Sequence, residues 1–247
     1  MGGKRILIAS GKGGVGKSSL CVSLGETLSQ MGKRVVLLDL DFGIRALDLF
    51  LGVENAPYHL MDVLERRCKP ADALIQPQGN ERLFLCQAPP SKDDGVPVRW
   101  ELMEPLTRLF AEHFDYVLAD CPAGITPAFY TACRVCDEAL VVTNPEPVAV
   151  RSAALCRTMA LQQNPDLFCR VVIHRVKEKA KENQITDFDA ILNETEMPLA
   201  AVIPFAPGIS AAAAKGELAS FSDPDYNEAV RRLALRLEGK KAPLWIS

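Results

Sequence analysis

The glycine-rich stretch Ser10–Ser19, SGKGGVGKSS, constrains this chain more than any other feature. It fits the pattern G-x-x-x-x-G-K-[ST] from Gly11 through Gly16, Lys17 and Ser18. The residues before it, Arg5–Ser10 (RILIAS), read as a short buried strand, and Lys17–Met31 reads as a helix. A strand entering a glycine loop that opens a helix is the context in which such a loop holds phosphate. Gly11, Gly13, Gly14 and Gly16 let the backbone turn sharply and aim amide N–H groups at phosphate oxygens. The helix start at Lys17 adds its own unpaired donors and the positive end of its dipole. The expected nucleotide-binding set is Gly11, Lys12, Gly13, Gly14, Val15, Gly16, Lys17, Ser18 and Ser19. Lys17 is expected on the β- and γ-phosphates, with the Ser18 hydroxyl a direct ligand of Mg²⁺. Lys12 is a second lysine that a phosphate loop does not need, and it points to a reach beyond the chain's own site.

Two further apolar runs end in acids. Arg34–Leu38 leads into Asp39-Leu40-Asp41, and strand alternation places Asp39 and Asp41 on one face if the strand continues. Phe114–Asp120 (FDYVLAD) is the third such element, with Asp120 expected to hold Mg²⁺ through water. Carboxylates at the carboxyl ends of parallel strands lie beside a phosphate loop, where a hard cation needs oxygen partners.

These residues resemble the MinD/ParA family of deviant-Walker P-loop ATPases. The resemblance is carried by Ser10–Ser19, Val36–Gly52 (VLLDLDFGIRALDLFLG), Asp120–Ile125 (DCPAGI) and Val141–Glu146 (VVTNPE), and it extends from Lys4 to about Leu237. Gly43, Arg45 and Asp48 in the second stretch mark MinD-like chains. The resemblance implies that Lys12 is the signature lysine reaching a partner's phosphates across an ATP-bound dimer, and that Gly13 approaches the γ-phosphate there. It implies Lys12, Lys17 and Asp41 as catalytic residues, Asp41 orienting the attacking water, with Asp39 near Mg²⁺ and its waters. ATP or ADP and Mg²⁺ are the implied cofactors. A nucleotide-dependent homodimer, division-regulator proteins and a weak peripheral membrane contact are the implied partners, and specific nucleic acid is not expected.

Two positions depart from the family. Many members carry an Asn after the sixth strand to read adenine, whereas the segment Val171–Lys179 (VVIHRVKEK) has Lys177 near that place. Base-side contacts are expected at Arg175 and Pro204. The family often ends in a basic amphipathic helix. Here Glu238–Ser247 (EGKKAPLWIS) contains Pro243 and too short an apolar run, so a tail packed on the domain is expected.

Length and composition fit one α/β domain over residues 1–247, a P-loop NTPase with a mostly parallel central sheet flanked by helices on both faces. The tail spans about 239–247. A net charge of −3 argues against a broad nucleic-acid footprint. Met1–Lys4 lead straight into the first strand, so no signal peptide is read, and no apolar run spans a bilayer. The eight scattered cysteines read as reduced thiols of a cytoplasmic protein, at most peripheral at the inner face of the membrane. Cys133 and Cys136, a C-x-x-C on a helix, read as packed thiols, with a metal site as the sharper alternative. Other strands are expected at Leu83–Gln87, Glu138–Thr143, Cys169–His174 and Ala200–Pro204, and other helices at Val98–His113, Pro127–Cys136, Pro147–Gln162 and Asp225–Leu237. His59, His113 and His174 show no metal spacing and receive no role.

The expected function is an ATP-driven dimerisation switch that hydrolyses ATP, slowly without a partner, and places the division site. A regulator of flagellar number, a nucleotide-gated interaction protein with negligible turnover, and a metal-cluster carrier stay open as alternatives.

Overall fold

The structure, a computed structural model, describes residues 2–42, 45–53, 56–89, 99–177 and 187–245. Gly43, residues 90–96 of the segment Gln76–Val96, the charge run after Lys177, and Ile246 and Ser247 lie outside the described residues.

Near-continuous runs of Val, Ile and Leu form strands buried on both faces, as parallel sheets require. In chain order these are β1 (Lys4–Ala9), β2 (Val35–Asp39), β3 (Leu74–Ile75), β4 (Leu83–Cys86), β5 (Tyr116–Asp120), β6 (Glu138–Thr143), β7 (Phe168–Val176) and β8 (Leu199–Pro204). They make one sheet in the order β3-β4-β2-β5-β1-β6-β7-β8, parallel except for β3 at the edge. The α/β expectation with a mostly parallel sheet holds, and the expected strands fall within one or two residues of those observed.

Alternate residues of each strand face opposite layers. Ile6, Ile8, Leu37 and Leu118 pack against α1 (Lys17–Gln30) and, later in the chain, α9 (Pro224–Leu237). Leu7, Val36, Leu38, Val117 and Ala119 face the layer of α3 (Leu60–Leu64), α4 (Trp100–His113), α5 (Pro127–Val135) and α6 (Pro147–Gln163). The short helices α2 (Leu47–Leu51) and α8 (Ile209–Ala214) lie beyond α1, and α7 (Phe188–Thr195) packs on α6.

The chain crosses from one half of the sheet to the other around β1. Register aligns Ile8 with Asp120 on one side and Asp39 with Asp120 on the next. The glycine loop that follows β1 therefore emerges beside both acids, at the point where doubly wound sheets hold ligands.

At the far end, Gly239 turns the chain in the left-handed region (φ 73°) just after α9. Arg232 donates to the Leu244 carbonyl at 2.9 Å, and half-buried Trp245 packs on the core. The described part of the tail thus lies on the domain, with Leu244 and Trp245 half-buried and Pro243 exposed. Among the described residues no helix is long and apolar enough to cross a membrane.

Truncating a fully buried strand residue removes both its transfer energy and its packing. Leu118→Ala, in the centre of the sheet, is expected to cost about 3 kcal/mol in urea denaturation. Leu109→Ala on the outer side of α4 is expected to stay within about 0.5 kcal/mol.

Candidate functional site

The glycine loop closes around two internal contacts. Gly16 stands in the left-handed region (φ 95°) at the start of α1, and a Cβ there would lie 2.4 Å from the His174 ring. At Gly11 a Cβ would lie 2.4 Å from the Ser152 carbonyl oxygen of α6. Both glycines let neighbouring elements close on the loop from beneath. The top is different: among the described residues a Cβ on Gly14 meets nothing within 4 Å, and one on Gly13 only Ala123 at 3.9 Å. Among the described residues no backbone carbonyl accepts from the amides of residues 12–19. The loop is an open cradle of unpaired N–H donors, which fits a polyphosphate.

Lys17 and Ser18, the first residues of α1, turn down to the end of β5. Lys17 Nζ donates to Asp120 Oδ1 at 2.7 Å and Ser18 Oγ to Asp120 Oδ2 at 2.7 Å, while Lys17 Nζ stands 3.0 Å from Ser18 Oγ. Lys17 and Asp120 are both buried. Burial opposes charge on each, but the pull of Asp120 outweighs it at Lys17, whose pKa is raised. Burial also raises Asp120, against the opposing pull of Lys17 and Ser18.

Asp39 lies beside this pair and is buried at the end of β2. Burial, then the like charge of Asp120, push its carboxyl up to about 8. The expectation that Asp39 and Asp41 share a strand face is corrected here. β2 stops at Asp39, and the Asp41 N–H donates to Asp39 Oδ1 at 2.9 Å, closing a side-chain turn. Asp41 is consequently half-buried on the loop above, while Asp39 is held beneath it.

Lys12 is the outward lysine. Its Nζ donates to Glu146 Oε2 at 2.5 Å, and about two-fifths of each side chain is exposed. Glu146 begins α6, where a carboxylate complements the helix dipole. It belongs to the stretch VVTNPE, yet sequence reading gave it no role because nothing in the chain marks it as Lys12's partner.

His174 was also missed. It is buried under the loop with Nδ1 2.8 Å from the Val15 carbonyl oxygen. A carbonyl only accepts, so Nδ1 carries a proton. Burial lowers the pKa to about 4, which favours the neutral ring near pH 7. The next residue, Arg175, adopts a left-handed backbone (φ 62°) and donates to the Gly14 carbonyl at 2.6 Å. Arg175 and Lys177 lie over the Phe205 ring, 5.6 and 4.5 Å from its centroid. Pro204 is buried at the end of β8, so the surface beside Arg175 is formed by Phe205.

Ser18, Asp39 and Asp120 supply oxygens suited to Mg²⁺. Among the described residues no three His, Cys, Asp or Glu side chains form a metal cage. That is the ordinary situation for Mg²⁺, which draws remaining ligands from phosphate and water. Cys133 is buried on α5, and Cys136, where the helix was expected to end, is the buried extended residue just past it; burial raises both thiols.

The chain is similar to known proteins over nearly its whole length. The family model of the CobQ/CobB/MinD/ParA nucleotide binding domain matches residues 6–219. The septum site-determining protein MinD of Bacillus subtilis is 34% identical over 248 residues, covering 99% of this chain and 92% of that protein. The MinC:MinD cell division protein complex of Aquifex aeolicus superposes with a TM-score of 0.84 at 31% identity, covering 98% of each chain. MinD complexed with Mg-ADP from Pyrococcus horikoshii superposes with a TM-score of 0.83 at 27% identity, covering 95% of this chain and 96% of that one.

The neutral His174 makes the loop sensitive to acid. Its folded pKa lies below the unfolded value, so its contribution is complete above pH 6.5 and is lost as pH falls toward about 4. The full loss is on the order of 3 kcal/mol. Urea midpoints between pH 6.5 and 5 are expected to fall in the wild type and to change less in His174→Phe.

Proposed function

The chain belongs to the CobQ/CobB/MinD/ParA nucleotide-binding family, and on that premise we propose an ATP-driven dimerisation switch that regulates where a cell divides. The observation that carries the reading is the division of labour between two lysines. Lys17 is buried against Asp120 and serves the chain's own site. Lys12 stands at the surface, held by Glu146, and can reach a second copy. The division role follows the naming of the relatives, and a division-regulator protein is the corresponding partner.

Phosphates enter over Gly13 and Gly14, where the loop is open. Lys17 then exchanges Asp120 for β- and γ-phosphate oxygens. Ser18 would hold Mg²⁺ through its hydroxyl oxygen, and Asp39 and Asp120 would hold it through water. Mg²⁺, when bound, offsets phosphate charge and fixes the phosphate oxygens. Asp41, above Asp39, orients a water in line with the γ-phosphate. The new bond joins the water oxygen to phosphorus, the bond to the bridging β–γ oxygen breaks, and ADP and inorganic phosphate leave. Lys12 of the second copy neutralises charge developing on the transferred group. Because that charge comes from another molecule, turnover is slow until dimers form or a partner stabilises them.

Arg175 supports the loop through the Gly14 carbonyl, and Phe205 with Lys177 lines the side where a base would lie. We place the protein in the cytoplasm, with at most a weak peripheral membrane contact.

The test is phosphate release as a function of protein concentration. Specific activity of the wild type is expected to rise with concentration, and Lys12→Ala to lose at least about 100-fold while still binding nucleotide. Lys12→Ala with wild-type turnover would contradict the reading. Glu146→Gln is expected to weaken the hold on Lys12 and lower the concentration at which activity rises.

A further inference from the structure

Away from the nucleotide loop, the folded-back tail borders a basic, open cavity. It has a volume of about 490 Å³ and is lined by Arg170, Arg236, Gly239, Lys240, Lys241, Ala242 and Pro243. Its place in the sheet is clear. Arg170 lies near the start of β7, and Arg236 donates to the carbonyl of Leu199, the first residue of β8, at 2.9 Å. Both strands begin at the sheet edge opposite the one where the glycine loop leaves β1.

The charge in this cavity is not balanced from within. Arg170 is paired with Glu138. Among the described residues no carboxylate lies within 4 Å of Arg236, Lys240 or Lys241. On a chain whose net charge is −3, three cations without acidic partners around one hollow are a local excess. Helix dipole compensation accounts for Arg236 in the last turn of α9, but Lys240 and Lys241 lie past the helix end.

The cavity is also held in shape. Gly239 reverses the chain, and the Lys240 amide donates to the Leu235 carbonyl at 3.0 Å. Arg236 reaches the Ala242 carbonyl at 3.4 Å, and Arg232 fixes Leu244. The lysine backbones are therefore positioned before any ligand arrives, which reduces the ordering cost of binding. Guanidinium and ammonium donors around an open hollow suit a phosphate group better than a lone carboxylate, because a phosphate offers more charge and more acceptor oxygens.

We propose that the cavity formed by Arg170, Arg236, Lys240 and Lys241 binds a phosphate-bearing anion. The site is separate from the nucleotide loop, so its failure leaves the ATPase reading untouched.

The experiment uses the whole chain with the nucleotide loop saturated by Mg-ADP. Inorganic pyrophosphate is titrated by calorimetry, and in a second arm phosphatidate–phosphatidylcholine vesicles are tested by co-sedimentation against phosphatidylcholine alone. The comparison variant is Lys240→Gln/Lys241→Gln, whose side chains are exposed. Its ATP turnover and thermal midpoint serve as controls. Removing two cations is expected to weaken binding by about tenfold or more, in a salt-sensitive manner. Loss in the pyrophosphate arm assigns a soluble phosphate compound, and loss in the vesicle arm alone assigns a lipid headgroup. Absence of binding in both arms, or equal binding by wild type and variant, overturns the proposal.

Discussion

The contact between Lys17 and Asp120 is the constraint on which the rest of the site depends. A buried ion pair recovers little beyond the desolvation cost of its two charges, and losing one partner typically costs about 3–5 kcal/mol. The pair is weak as a source of stability and useful as a poised exchange. Phosphate oxygens can take the place of the Asp120 carboxylate on Lys17, and a cation can then use the released carboxylate. Asp39, held nearby, is part of the same balance: burial first, and then the like charge of Asp120, push its pKa up to about 8. A divalent cation would relieve that crowding, and the acids suit Mg-nucleotide better than nucleotide alone.

The arrangement needs the sheet topology. Only with β5 between β1 and β2 can the loop after β1 face both Asp120 and Asp39. The underside of the loop is fixed as firmly as its donors. His174 fills the space that Gly16 leaves, and Arg175 holds the Gly14 carbonyl from outside. Both come from the end of β7, on the far side of β6. The loop is supported by strands distant in sequence and left open only on top. Lys12 leaves this rigid frame and is tethered by one half-exposed contact to Glu146, a tie far easier to release than that of Lys17.

Much of this was legible in the residues. The glycine loop, the apolar strands ending in Asp39 and Asp120, and the order of long helices each rest on local patterns that need no partner to interpret. The unread parts depend on distant pairings. His174 carries no local signal, because its role exists only where β7 ends beneath Gly16. Glu146 is an ordinary helix-start acid until the fold brings Lys12 to it. The short helices α2, α3, α7 and α8 have too few turns for clear periodicity, and the two-residue β3 is an edge strand set by its pairing with β4. The Asp39–Asp41 misreading has a similar source. Alternation cannot announce that a strand ends, and the Asp39 side chain ends this one by capping the Asp41 amide.

On the function proposed above, an open loop with one inward and one outward lysine is a half-site that a second copy would complete. Light scattering on an Asp41→Ala variant, which retains both lysines and is expected to slow hydrolysis, examines this directly. With Mg-ATP the variant is expected to elute at twice the 27.0 kDa chain mass, and with Mg-ADP at the chain mass. A single-chain mass under both conditions, with ATP shown to be bound, would contradict an ATP-driven dimer.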